Sequence, residues 1–288
     1  GTSVADQAWK GVDGLRADFA QGLPPAAWEY MVNRTRSQKW TFVFMAESLD
    51  GGPVTYRSSR HFDVLNENIV FAVNGTNAAT NSMTSDLRGI FESRRMTYGQ
   101  SMVLLNTVSH DEQNTADPWE ALLRFAVYST IDGAPMIFHG QEQGISTTFG
   151  FDVMEYNASK YIPHFKTWNS MMPLWLDADY GNSRLYPVYS AITHARRASA
   201  ALRSSNRFYL DQVGGGGTHQ RIFSIAKFEA RNASPASSDV VFGFVNLDRN
   251  AAQSGTFHVN QDTDGNSVND YGIKPGRTYN LRNLSGYT

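Results

Sequence analysis

The 288 residues are 41% hydrophobic and 18% charged, the balance of an ordinary folded chain with room for one large domain or one domain and a small appendix. Lys and Arg total 25 against 27 Asp and Glu, a net charge of -2, so no basic stripe is on hand to neutralise phosphates and nucleic acid is excluded as a partner class. The chain has no Cys, which removes disulfides and thiolate metal sites, and no apolar run as long as a membrane span.

Short apolar runs alternate with helix-like stretches through the first half. Gly14–Phe19, Phe42–Glu47, Phe62–Asn68, Met102–Val108 and Pro135–Phe138 read as strands. Ala26–Lys39, Thr84–Tyr98 and Pro118–Ile131 carry apolar residues near a 3.6-residue period and read as helices. Strand then helix, repeated, predicts βα units around a parallel sheet. Polar and acidic residues follow each apolar run, where a βα-barrel collects its active site. A further helix is expected over Pro187–Arg203, ending near Ser204–Asn206. After the loop Gly214–Gly217, the segments Arg221–Phe228, Val240–Asn246 and Thr256–Val259 read as strands of a small antiparallel domain. The expected division is a barrel portion over 1–207 and a β-rich domain, sandwich-type, over 208–288.

Three acids stand at strand ends. Asp18 shares a strand face with Arg16, two residues earlier, and a neighbouring guanidinium favours the ionised carboxylate that a nucleophile needs. Taken alone, that pair reads more simply as a salt bridge. Glu47 ends the apolar run Phe42–Glu47, where partial desolvation favours the protonated carboxyl of a general acid, although a capping carboxylate is the plainer reading. Asp111 follows a third apolar run, with His110 beside it. Three such acids, each at a strand end of the βα series, form a constellation. Retaining glycoside hydrolysis needs two carboxyl groups about 5–5.5 Å apart, and neighbouring strands roughly 4.8 Å apart can supply them.

The surrounding segments make this specific. GVDGLRADFA, Gly11 to Ala20, resembles the second conserved region of glycoside hydrolase family 13, the α-amylase family. FMAESLDG from Phe44 resembles the third region, and NTVSHDE from Asn106 the fourth. GAPMIFHGQEQG from Gly133 is similar to the eighth-strand signature. The order matches, with Glu47 29 residues after Asp18 and Asp111 64 residues after Glu47. The resemblance implies a (β/α)8 barrel of which this chain supplies strands four to eight. It makes Asp18 the nucleophile, Glu47 the general acid/base, and Asp111 the acid that distorts and orients the sugar. Arg16 and His110 become substrate-site partners. The implied substrate is a starch-like α-glucan or maltooligosaccharide, cleaved at α-1,4 bonds by double displacement. Calcium is a possible cofactor on the same ground, with no organic cofactor implied.

Departures from the family pattern are equally legible. Gly22 stands where the family often has Lys or His, leaving Gln21 as the nearest polar substitute, and Ser109 replaces the usual Asn. The family's first region, an Asp-x-x-x-Asn-His pattern on the third strand, does not occur. A five-stranded part-barrel would leave two open edges, so an N-terminal piece completing the barrel is expected as a partner. A glucanotransferase using the same acids and a non-catalytic glucan-binding fragment remain alternatives.

Weaker signals are few. Asp262 to Asn266, with Asn269 and Asp270, offers oxygen ligands of the kind calcium takes, but the position of a bidentate Glu is empty of acid and an Asp-Gly turn is the better reading. His139 and Glu142 are read as structural, and Trp168, Trp175 and Tyr180 as core aromatics by default. His61 and Asp63 receive no role.

Overall fold

The computed structural model describes residues 11–48, 57, 62–67, 69–74, 84–97, 100–107, 118–138, 141–143, 184–259, 261–262 and 265–286. Five strands, β1 (Gly14–Ala17), β2 (Val43–Glu47), β3 (Val64–Asn66), β4 (Met102–Asn106) and β5 (Ala134–Met136), form one parallel sheet in sequence order. Each falls within or next to a run read from the sequence, trimmed at its ends. Parallel neighbours need crossovers, and here these carry α1 (Pro25–Arg36), α2 (Ile69–Asn74), α3 (Thr84–Thr97) and α4 (Pro118–Tyr128). The helix α2 is additional to the sequence reading; six residues are too few to show a helical period.

Strand alternation decides how these layers meet. Ala17, Ala46, Leu65 and Val103 lie in register across β1 to β4. The first three pack with Trp28 and Val32 of α1, and Val103 packs with Ile69, Phe91 and Val127 of the later helices. Among the described residues, α1 to α4 therefore lie on one face of the sheet. The opposite face carries Arg16, Met45, Val64 and Met102 in register, and its Met102 and Val43 are exposed. Helices on one face of a parallel sheet are the arrangement of a barrel wall, whereas a doubly wound sheet carries them on both.

Helix α1 shows how the local sequence stops and starts these elements. Pro25 occupies its first position, where a missing N–H costs nothing, and Arg34 and Arg36 fall in its last turn, opposite the negative end of the dipole. Its Trp28 meets Phe62 edge-to-face at 5.0 Å.

The second half begins with α5 (Leu185–Ala198) and α6 (Ala200–Arg203). The sequence reads as a single helix here, but Ser199 breaks it with extended backbone and caps the second piece, its side chain accepting from the Leu202 N–H at 3.0 Å. Then β6 (Arg207–Tyr209), β7 (Ile222–Phe228) and β8 (Val240–Asn246) form an antiparallel sheet. The expected strand at Thr256–Val259 reduces to a single bridge between Phe257 and Gln212. Val213 N–H reaches the Thr256 carbonyl at 2.7 Å and His258 N–H reaches Asp211 at 2.9 Å, but the partner segment turns away into its glycines before a ladder can extend. Among the described residues the sheet is single. One face joins the helices, with Phe223 against Phe91 at 6.4 Å and Tyr209 at 6.0 Å; the other is covered by Phe257, Tyr271 and Ile273. One core thus runs from Val103 and Leu105 of the parallel sheet, through α3 and α4, to Phe223 and Ile225 of β7.

Candidate active site

The site is built at the C-terminal ends of the parallel strands, on the face free of helices. Arg16 pairs with Met45, and continuing that register by two residues sets Asp18 beside Glu47. Arg16 lies between the two acids: Nη1 reaches Asp18 Oδ1 at 2.9 Å and Nη2 reaches Glu47 Oε1 at 3.2 Å. The acids differ sharply in environment. The side chain of Asp18 is 81% exposed and that of Glu47 11%. One guanidinium therefore holds an open carboxylate and a sheltered one in fixed relation, with the planar fork that suits two acceptors.

Glu47 has a second fixed partner. The backbone N–H of Phe19 donates to Oε2 at 2.8 Å, which requires the turn after Asp18 to point that N–H back at the sheet. Phe19 does so with φ 47° and ψ 52°, the left-handed region that non-glycine residues rarely enter. Its ring, itself exposed, lies over Gly22, where an added Cβ would come within 2.6 Å of the ring. The glycine at the position of the usual Lys or His is thus what leaves room for Phe19. Trp28 fixes the same turn from below, its indole N–H donating to Ala20 O at 2.8 Å.

The neighbouring strand ends extend a polar layer. Asn66 pairs in register with Glu47, and its buried Oδ1 has no hydrogen-bond partner among the described residues. Ser48 N–H donates to Asn66 O at 2.8 Å, and the Ser48 hydroxyl accepts from buried Arg57 at 2.6 Å. Buried Glu67, just beyond β3, pairs with Arg94 at 3.2 Å. Past β4, Gln141 Nε2 donates to Thr107 Oγ1 at 2.8 Å and to the Tyr189 hydroxyl at 2.9 Å. Burial pushes the Tyr189 phenol well above its ordinary range, a shift the Gln141 bond opposes, so it stays a neutral partner.

The sequence singled out Asp18, Glu47 and Arg16, and the structure brings these three together. Asp111, His110 and Ser109 lie outside the described residues, as do His61, His139, Trp168, Trp175 and Tyr180. Asp63 sits at the opposite end of the sheet, bound to Arg36 at 2.6 Å and to the Phe44 N–H at 2.8 Å. Glu142 follows Gln141 in a short 3-10 turn. The sequence reading missed Phe19, whose part is played by its backbone, and Asn66, although a polar residue closing an apolar strand is the signal that marked Glu47. For calcium, no group of three His, Asp or Glu side chains that could hold an ion occurs among the described residues. The Asp262 carboxylate is engaged by the N–H groups of Asn266 and Ser267, as in a tight turn.

Compared in three dimensions, the chain has the fold of α-glucan-acting enzymes of glycoside hydrolase family 13. The cyclic α-maltosyl-(1→6)-maltose hydrolase of Arthrobacter globiformis matches with a TM-score of 0.59 and 17% identity, over 82% of this chain and 55% of that one. The debranching enzyme of Nostoc punctiforme matches at 0.57 and 17%, over 75% and 45%, and a cyclomaltodextrinase at 0.57 and 17%, over 80% and 36%. At such identities the likeness is one of fold. The chain spans little more than half the length of the first of these enzymes. By sequence, no family model and no curated protein matches it.

Proposed function

We infer that this chain carries the catalytic acids of a retaining α-glucan hydrolase of the α-amylase family. The observation that carries the reading is the Arg16 bridge between an exposed and a sheltered carboxylate on adjacent barrel-type strand ends. Glu47 protonates the glycosidic oxygen as Asp18 attacks the anomeric carbon, forming a glycosyl ester and releasing the leaving sugar. Glu47, now the carboxylate, takes a proton from water, which opens the ester and restores Asp18. Arg16 and the Phe19 N–H hold Glu47 through both steps. Asp111 and His110 are assigned by resemblance to the sugar hydroxyls, and the substrate is a maltooligosaccharide cleaved at α-1,4 bonds.

The barrel is completed by a further segment supplying the remaining strands. The exposed Val43 and Met102 on the helix-free face, and the free outer edges of β1 and β5 among the described residues, support this. The completed protein is therefore the form to assay.

Asp18→Gly in that protein, given α-maltosyl fluoride and azide, tests the assignment. A nucleophile variant yields the β-maltosyl azide, because azide enters from the face Asp18 has vacated. Wild-type turnover, or no azide product from a folded variant, sinks the assignment.

A further inference from the structure

At the opposite end of the parallel sheet from Asp18 and Glu47, a cavity of about 620 Å³ opens between the start of β4, the turn before β5 and the end of α5. Four guanidiniums reach its wall: Arg94, Arg196, Arg203 and Arg207. Two are answered by acids. Arg94 pairs with Glu67, and Arg207, almost wholly buried, pairs with Glu92 and Asp132. The other two are not. Arg196 donates to the carbonyls of Ser129 at 2.7 Å, Leu202 at 2.9 Å and Gly133 at 3.0 Å, and Arg203 donates from Nη1 alone to the carbonyls of Arg196 and Arg197. Among the described residues neither forms an ion pair, and Nε and Nη2 of Arg203 are unengaged.

Carbonyls satisfy N–H groups but do not cancel charge. Arg196 is largely withdrawn from water beside a second cation, and burial, followed by the charge of Arg203, pushes it down to about 10. Two like charges converging on one cavity raise each other's energy, and an anion between them relieves both at once. Exposed Ser205 and Gln100 add neutral hydrogen-bonding groups to the lining. The volume exceeds what a bare inorganic anion needs and suits a small phosphorylated compound.

We propose that this cavity is a binding site for a phosphate group, free or as a sugar phosphate monoester, gripped by Arg196 and Arg203. The site lies at the other end of the sheet from Asp18 and Glu47 and does not depend on their catalytic reading. Arg203 is the discriminating residue because it is exposed and its loss leaves the loop contacts of Arg196 in place.

Isothermal titration of the purified protein with inorganic phosphate, and separately with glucose 1-phosphate, at fixed ionic strength provides the test. Saturable binding is expected, weakened at least tenfold in Arg203→Ala and further in Arg203→Glu, with circular dichroism unchanged. Tighter binding of glucose 1-phosphate identifies the monoester as the preferred form; equal affinity identifies the phosphate alone. Absence of saturable binding, or binding that Arg203→Glu leaves intact, overturns the proposal.

Discussion

At the scale of single residues, the site rests on divided tasks. Glu47 has a donor on each carboxylate oxygen, whereas Asp18 stands open beside the same arginine. Glu47→Gln should therefore cut turnover of maltooligosaccharides by roughly 10²–10⁴-fold, and much less with α-maltosyl fluoride, whose leaving group needs no proton. Comparing kcat on the two substrates checks this; equal losses would remove Glu47 from the acid's role. Phe19 provides a second check. A left-handed non-glycine backbone costs about 1–2 kcal/mol, and the exposed ring returns little packing. Phe19→Gly should melt no lower than the wild type, as read by thermal unfolding. Arg16, Asp18 and Glu47 were legible in the sequence because strand periodicity and the motif agree on them. Phe19 was not, since a main-chain N–H leaves no mark in side-chain chemistry, and whether Gly22 serves substrate or simply makes room is a question only the turn geometry answers.

Among the elements, the sequence was most informative where one face of a segment is buried. Helix α3 emerges close to its read limits because its apolar residues repeat with the period of the structure, whereas β7, buried along its whole length, is legible as a short apolar run between turns. Thr256–Val259 has a strand's composition, yet its fate depends on a distant partner that turns at Gly214, which no local pattern contains. The break at Ser199 was hidden for the opposite reason: Ala and Arg on both sides favour helix, and one cap decides the interruption. Ser199 also hydrogen-bonds Asp239, which in turn accepts from the Ala201 N–H at 3.0 Å, tying the start of α6 to β8. Ser199→Ala should destabilise by about 1–2 kcal/mol, measurable by chemical denaturation with an unchanged m-value.

For the molecule as a whole, the governing fact is the core shared between the two sheets. Phe223 belongs to β7, but its ring neighbours are Phe91 of α3 and Tyr209 of β6. Phe223→Ala should cost about 3–5 kcal/mol and lower stability in both halves together. Hydrogen exchange in β4 should rise along with that in β7; exchange confined to β7 would mean the halves unfold separately. The helix-free face of the parallel sheet has no counterpart to this core among the described residues.

Trp28 brings an unplanned benefit for anyone studying this protein in solution. Its indole is nearly shielded, while Trp40 and Trp119 are open to water. Among these three described tryptophans, iodide therefore quenches Trp40 and Trp119 before Trp28. Because that indole holds the Ala20 carbonyl, in the turn directly after Asp18, the Trp28 share of the emission is an optical gauge of what happens at the strand ends, with no dye attached.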